Sequence, residues 1–483
     1  MKMRKLFAVL LGLALLLGCF GIGIQAAEND EYNALDFLEK LAPLATEEDY
    51  KPFRVVCTYA GEEGSTIGFH WYTKRNCESV VYVLETDGTR QYAGNGTTTK
   101  FQDYYAHSAV MSVEPNKSHA YRVGGDEQYS ETGYFKSNPG RGKDFSFIVT
   151  GDAQASSEKD FAYSARTHIE AWEEFPEAAF SVILGDLTND CSNAQWDMFF
   201  DAFAGVNANA ALAPVAGNHD GNLKWNWFRH MFTLKEPKNF LSNLTGVYYS
   251  FDYGDVHIAV LNSNDMYPMT MMQQNWLLND MKQSNANWKI VMMHRPPYTM
   301  GSHSSDPDTM LMRRVLIPLF DKAGVDLVMS GHDHVYARTK PMRGDKPAGE
   351  AASAYTDPGA AIYLLPGAAC SKRYDIKKNV LPAIKSAMAR SEQPGKPIFT
   401  GISIEGNTLT YQAYTYDPET EISAAYDELA ITKTSFAGAD PNYKPLPTDF
   451  LSCLPQQLWC FITGVPGLLG DYLFKLLPAV LGF

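Results

Sequence analysis

The sequence predicts an α/β (α+β) body preceded by a small all-β sandwich. Three observations lead there. Residues 54–139 alternate short β-branched and aromatic runs with turn pairs. From Lys143 onward apolar strands alternate with helical stretches. Five of those strands end in residues of metal-ligating type.

A chain of 483 residues exceeds one ordinary domain, so two folded units plus tails are expected. Hydrophobic content of 45% and charged content of 20% are those of a globular protein. The formal net charge of −14 excludes a nucleic-acid backbone as main partner, because phosphate binding needs a basic face. A small phosphorylated substrate stays open, since bound metal ions would invert the local field.

The elements follow in order. Lys2, Arg4 and Lys5 precede the apolar run 6–17, and Gln25-Ala26-Ala27 offers a cleavage site, so 1–27 reads as an export signal and the protein as secreted or held in the cell envelope. Ordinary cleavage fits better than a lipoprotein signal at Leu16-Leu17-Gly18-Cys19, because Phe20, Ile22 and Ile24 keep the chain apolar beyond the cysteine. Six cysteines then remain, an even count that permits disulfides in an exported protein. Residues 28–50 form a polar lead-in, partly helical at 34–38. The β-sandwich spans 51–139, with Ile67-Gly68-Phe69-His70-Trp71, Val80-Val81-Tyr82-Val83 and Ala120-Tyr121-Arg122-Val123-Gly124 as strands, and Asp87-Gly88 and Asn95-Gly96 as turns.

The α/β body spans 143–435. Strands are expected at 145–150, 180–184, 212–216, 256–261, 289–293, 326–330, 361–365 and 409–414, with helices at 160–175, 194–203, 271–281 and 310–320. Residues 436–450 are Pro-rich and read as a linker. Residues 451–483 are apolar but interrupted by Pro455, Pro466, Pro478, Asp471 and Lys475, which argues against a membrane span and for an interfacial segment, in contact with a membrane or cell envelope, or a flap on the body.

The strand ends carry the chemistry. They are Gly151-Asp152, Gly185-Asp186, Gly217-Asn218-His219-Asp220, His294 and Gly331-His332-Asp333-His334. Each has an ordinary explanation: Gly-Asp is turn chemistry, Asn-His-Asp a helix cap, a lone histidine a core residue. Five placements in order, each where an α/β sheet binds ligands, make coincidence remote. Two carboxylates, an amide oxygen and three imidazoles without a thiolate suit Zn, Fe or Mn. A carboxylate bridging two such ions sets them roughly 3.5–4 Å apart, clamps the oxygens of an in-line displacement, and makes hydroxide available at mild pH.

These blocks resemble the five motifs of the calcineurin-like metallophosphoesterase superfamily, and the β-sandwich ahead of them is similar to the fibronectin type III-like (immunoglobulin-like) domain of purple acid phosphatases. The likeness covers residues 54–417. It implies a four-layer metallophosphoesterase sandwich and two metal ions, divalent or trivalent. Asp152, Asp186 and His334 would hold the first ion, with Asp186 bridging, and Asn218, His294 and His332 the second. It further implies catalytic roles for His219, with Asp220 beside it in the motif, and for His303. Asn218, His219, His303 and Arg295 would contact the substrate.

Two positions depart from the pattern. Asn189 stands where purple acid phosphatases carry the iron-binding tyrosine, and Gln154 where other members carry a histidine. The fourth ligand of the first ion is thus left to Asn189 or Gln154 through oxygen, to water, or to weak binding, which argues against ferric iron and for two divalent ions. The expected function is hydrolysis of phosphate esters by metal-activated hydroxide, as an acid phosphatase-like phosphomonoesterase. The alternatives are a phosphodiesterase or nucleotidase on the same site, or a non-catalytic surface protein with a relic site.

Overall fold

The strand Phe53–Tyr59 pairs antiparallel with Thr66–Thr73 on one side and parallel with Ala211–Pro214 on the other, Thr58 opposite Leu212. It thereby makes one eleven-stranded sheet out of half of the N-terminal sandwich and half of the α/β body. The computed structural model describes residues 47–471 apart from 62–63, 87–90, 222–224, 238–246 and 265–269. The export signal, Cys19, most of the lead-in and the turn Asp87-Gly88 lie outside the described residues.

The second sheet of the N-terminal sandwich runs Gln91–Asn95, Val80–Glu85, Ser118–Gly125, Gln128–Tyr129, with Gly133–Lys136 also paired to Ser118–Gly125. Along Val80–Glu85 buried and exposed residues alternate, as a strand with one wet face requires.

Within the α/β body the large sheet contributes Phe145–Thr150, Phe180–Ile183 and Ala211–Pro214, all parallel, flanked by the antiparallel Ile398–Glu405. A second, seven-stranded sheet contributes Val256–Leu261, Trp288–Met293, Leu327–Ser330 and Ile362–Pro366, also parallel. Every residue of Phe180–Ile183 and Trp288–Met293 is buried, which is why these strands read as mostly apolar, with Ser181 and Lys289 as their polar members. The sheets meet through aromatic rings. Tyr59 stacks on Phe251 at 4.7 Å, and Phe180 meets Tyr253 at 5.0 Å. Each such ring, fully buried, contributes roughly 1.5–3 kcal/mol of transfer free energy.

Helices cover the outer faces. Glu158–Glu174 and Asn193–Ala202 begin at Ser157 and Ser192, whose hydroxyls accept the N–H of Asp160 and Gln195. Met271–Gln283 is capped by Thr270, and Pro307–Ala323 ends at Gly324 in the left-handed region, φ 75°. The order helix, sheet, sheet, helix is the layered sandwich expected.

Three regions add to the sequence reading. Cys57, Cys77, Cys370 and Cys453 are free and buried, so no disulfide forms among these four. Residues 443–447 are fixed to Asn279, which accepts from Tyr443 Oη and Leu446 N and donates to the Leu446 carbonyl, so this part of the linker is not a loose spacer. The apolar segment begins as a helix, Phe450–Asp471, despite its prolines.

Candidate metal centre

The two sheets divide the labour. Asp152, Asp186 and Asn218 follow the parallel strands of the large sheet, and His294, His332 and His334 follow those of the seven-stranded sheet. Carboxylates and amide approach from one side and imidazoles from the other. The glycines ahead of the ligands allow this closeness. A Cβ on Gly185 would lie 2.5 Å from His294 Nδ1, and one on Gly217 would lie 2.0 Å from the Asp186 backbone nitrogen. Asp152, Asp186, His332 and His334 all have positive φ (32°, 50°, 77° and 48°). Such conformations cost of order 1–3 kcal/mol each and concentrate where function demands them.

Backbone carbonyls fix the imidazoles. His294 Nδ1 donates to the Leu184 carbonyl at 2.8 Å and His334 Nδ1 to the Lys372 carbonyl at 2.9 Å. The Nε2 atoms are left to act as ligands. His294 Nε2 faces Asn218 Oδ1 at 3.0 Å, His332 Nδ1 at 3.2 Å and Asp186 Oδ2 at 3.2 Å. His332 Nε2 is buried without a hydrogen-bond partner. Asp186, His294 and His332 are all buried. Lone pairs converging in this buried site suit a cation between them.

Ionisation shows the same demand. Burial would lower the pKa of His294 and His334, yet Asp186 raises the first and Asp152 the second. Burial would raise Asp186, yet His294, His219 and His332 hold it below the usual carboxylate range. His332 is lowered by burial and by His294. The donor set fits metal ions.

Around the other carboxylate, His334 Nε2 lies 3.5 Å from Asp152 Oδ1 and 3.1 Å from the Gln154 amide nitrogen. Gln154 is buried and its Oε1 has no partner. Amide oxygen and nitrogen exchange places by a simple flip, which would aim that oxygen at His334 and Asp152. Asn189, by contrast, is partly exposed, and what it offers the centre is its carbonyl, which accepts from His219 Nδ1 at 2.7 Å.

The residues 145–336 match the family model described as calcineurin-like phosphoesterase. Among similar chains, probable purple acid phosphatase 20 of Arabidopsis thaliana is 24% identical over 293 residues, 57% of this chain and 66% of its own. Acid phosphatase type 7 of Mus musculus is 26% identical over 355 residues, 66% of this chain and 78% of its own. This chain thus spans about two thirds of the length of such relatives. A purple acid phosphatase from yellow lupin seeds shares the fold with a TM-score of 0.68 at 16% identity, covering 84% of this chain and 76% of that one. The calcineurin-like phosphoesterase family uses a dinuclear metal centre, and the Asp/His cluster here is where this chain would hold it.

Other residues of the phosphoesterase motifs take distinct places. His219, half-buried, also donates its backbone N–H to Asp186 Oδ1 at 2.9 Å. His303 stacks on the His332 ring at 4.3 Å and is held by Asp306 Oδ2 at 2.6 Å from Nδ1. Arg295 donates to Asn264 Oδ1 at 3.3 Å. Asp220 departs from the catalytic reading. Its oxygens accept from Thr188 N, Thr188 Oγ1 and Gly217 N, so it ties two motif loops together as a positioning residue. Burial, then Asp186, pushes its pKa up to about 6.

Two contributors escaped the sequence reading. Asp333, between two ligands, accepts from Thr299 Oγ1 and His303 N and so holds the loop that carries His303. Tyr374 packs its ring 4.7 Å from that of His334 and 5.7 Å from that of His303. The alternation across His332-Asp333-His334 could have revealed the first, since the middle residue must point away; nothing local marks the second.

Proposed function

We propose that this phosphoesterase is a metal-dependent phosphomonoesterase using two divalent ions. The observation that carries this reading is the convergence of Asn218 Oδ1, His332 Nδ1 and Asp186 Oδ2 within 3.2 Å of His294 Nε2. When bound, such a pair supplies Lewis-acid polarisation and activates the attacking water. Asp186 would share its charge between both ions, and Gln154, rather than Asn189, would complete the first site once its amide is flipped.

The chain's own residues then do the following. His219, its Nδ1 committed to Asn189, presents Nε2 to the leaving oxygen and holds the proton that oxygen needs. Asn218 and His303 flank the phosphate. Asp220 and Asp333 keep the loops bearing these groups in place. The relatives named as acid phosphatases support a monoester as substrate. The signal read at residues 1–27 supports work outside the cytoplasm.

The test is elemental analysis of the pure protein together with turnover of an aryl phosphate and an aryl phosphodiester. Two metals per chain and faster monoester turnover are expected. Faster diester turnover would move the reading to a phosphodiesterase, and a metal-poor, inert protein to a relic site.

A further inference from the structure

The helix Phe450–Asp471 rests on the body through polar contacts. Gln457 Oε1 accepts from Met271 N at 2.6 Å, Gln456 Oε1 accepts from Asn275 Nδ2 at 3.3 Å, and Cys453 is buried beside Asn275. Leu451, Leu454, Leu458, Trp459 and Ile462 are instead 36–76% exposed. Positions 451, 454, 458 and 462 recur at helical spacing and so share one outward stripe. A helix resting on a protein in water shows the reverse polarity.

The exposed residues are concentrated here. Ten large hydrophobics are exposed among the described residues, and five of them lie between 451 and 462. Clustering of that kind marks a binding surface rather than ordinary scatter. From 450 to 483 the sequence holds only two charged residues, Asp471 and Lys475, and it continues past the described helix as Tyr-Leu-Phe-Lys-Leu-Leu-Pro-Ala-Val-Leu-Gly-Phe. The outward stripe thus opens a longer apolar stretch of sequence.

We infer that this helix docks the protein on the surface of a lipid bilayer, lying in the interface plane with Leu451, Leu454, Leu458, Trp459 and Ile462 in the acyl boundary. No described helix is long and apolar enough to cross a membrane, and a helix with one apolar face and polar contacts on the other suits the interface plane. Trp459 is the amphipathic ring that interfaces favour. A second copy of the chain fits less well, because Pro455, Pro466 and Pro478 interrupt the regular seam that helix pairing needs. The chain carries a net charge of −14 and the segment almost none, so attraction comes from apolar insertion and not from anionic headgroups.

The experiment is flotation with phosphatidylcholine vesicles, with and without phosphatidylserine, comparing the protein with a Leu451→Glu/Leu458→Glu/Ile462→Glu variant. The three side chains are exposed, so the variant should keep its melting temperature and its aryl-phosphate turnover. The parent protein should float on neutral vesicles, salt should leave this unchanged, and the variant should lose at least tenfold in bound fraction. Equal flotation of both proteins, or none of either, overturns the inference. So does a parent dimer in sedimentation that the variant abolishes without any vesicle binding. None of these outcomes depends on the proposed activity.

Discussion

His219 Nδ1 lies 2.7 Å from the carbonyl oxygen of Asn189, which joins the loop after one ligand strand to the loop after the next. The bond occupies Nδ1 of His219 and leaves Nε2 to face the substrate. His219→Ala should lower kcat by roughly 10²–10⁴-fold. Metal content should be unchanged, and the loss should shrink for aryl esters with good leaving groups. An equal loss on every leaving group would reduce His219 to phosphate binding.

Asp186→Asn removes a charge that faces His294 and His332 and accepts the His219 N–H. Both ions should weaken together by at least tenfold in Kd, whereas His334→Ala should empty mainly the first site. Equilibrium dialysis with elemental analysis reads both. Two tightly held ions in Asp186→Asn would show that it does not bridge.

The protein should be colourless. Asn189 stands in the tyrosine position and only its carbonyl engages the centre, while Gln154 adjoins His334. Gln154→Ala should loosen the first ion, and ferric Asn189→Tyr should gain a visible charge-transfer band. A strong band in the unmodified ferric protein would sink this placement. Tyr374, beside His334, would then be the source to remove by Tyr374→Phe.

His257 offers a pH test far from the metal centre. Its Nδ1 lies 2.6 Å from Asp252 and its Nε2 2.7 Å from Asp280. Burial lowers its pKa, but Asp280 and Asp252 win and push it up to about 9. The raised value means the stabilisation is complete below the unfolded pKa of about 6.5 and is lost as pH rises through about 9. Its upper bound is about 3 kcal/mol, reduced because Asp252 is partly wet. Denaturant midpoints should therefore fall between pH 7 and 9.5, and His257→Gln should flatten that slope. An unchanged slope in the variant would assign it to other groups.

The ligand strands were legible because they are buried on both faces and read as apolar runs ending in Gly-Asp, His or Gly-His-Asp-His. Phe145–Thr150 and Val256–Leu261 fall at their expected limits. The partition of those strands between two sheets was not legible, since every one of them has the same buried texture. Met388–Glu392 and Ile422–Thr432 were missed because they carry few buried residues and their register is set by partners distant in sequence. The helix Phe450–Asp471 was obscured by its prolines. Asp220 could not be told from a catalytic acid, because only the fold shows Thr188 and Gly217 occupying it.

The pairing of Thr58 with Leu212 sets an order of assembly. The two lie about 150 residues apart, and contacts of that separation form slowly, since loop closure precedes any gain. On a ribosome the earlier strand emerges with an open edge and waits for its partner. Ala211–Pro214, the partner, leads straight into Asn218. The strand that leads to Asn218 is thus paired on both edges only after the two parts of the chain have zipped together. A centre closed that late would take its ions from the place where folding finishes.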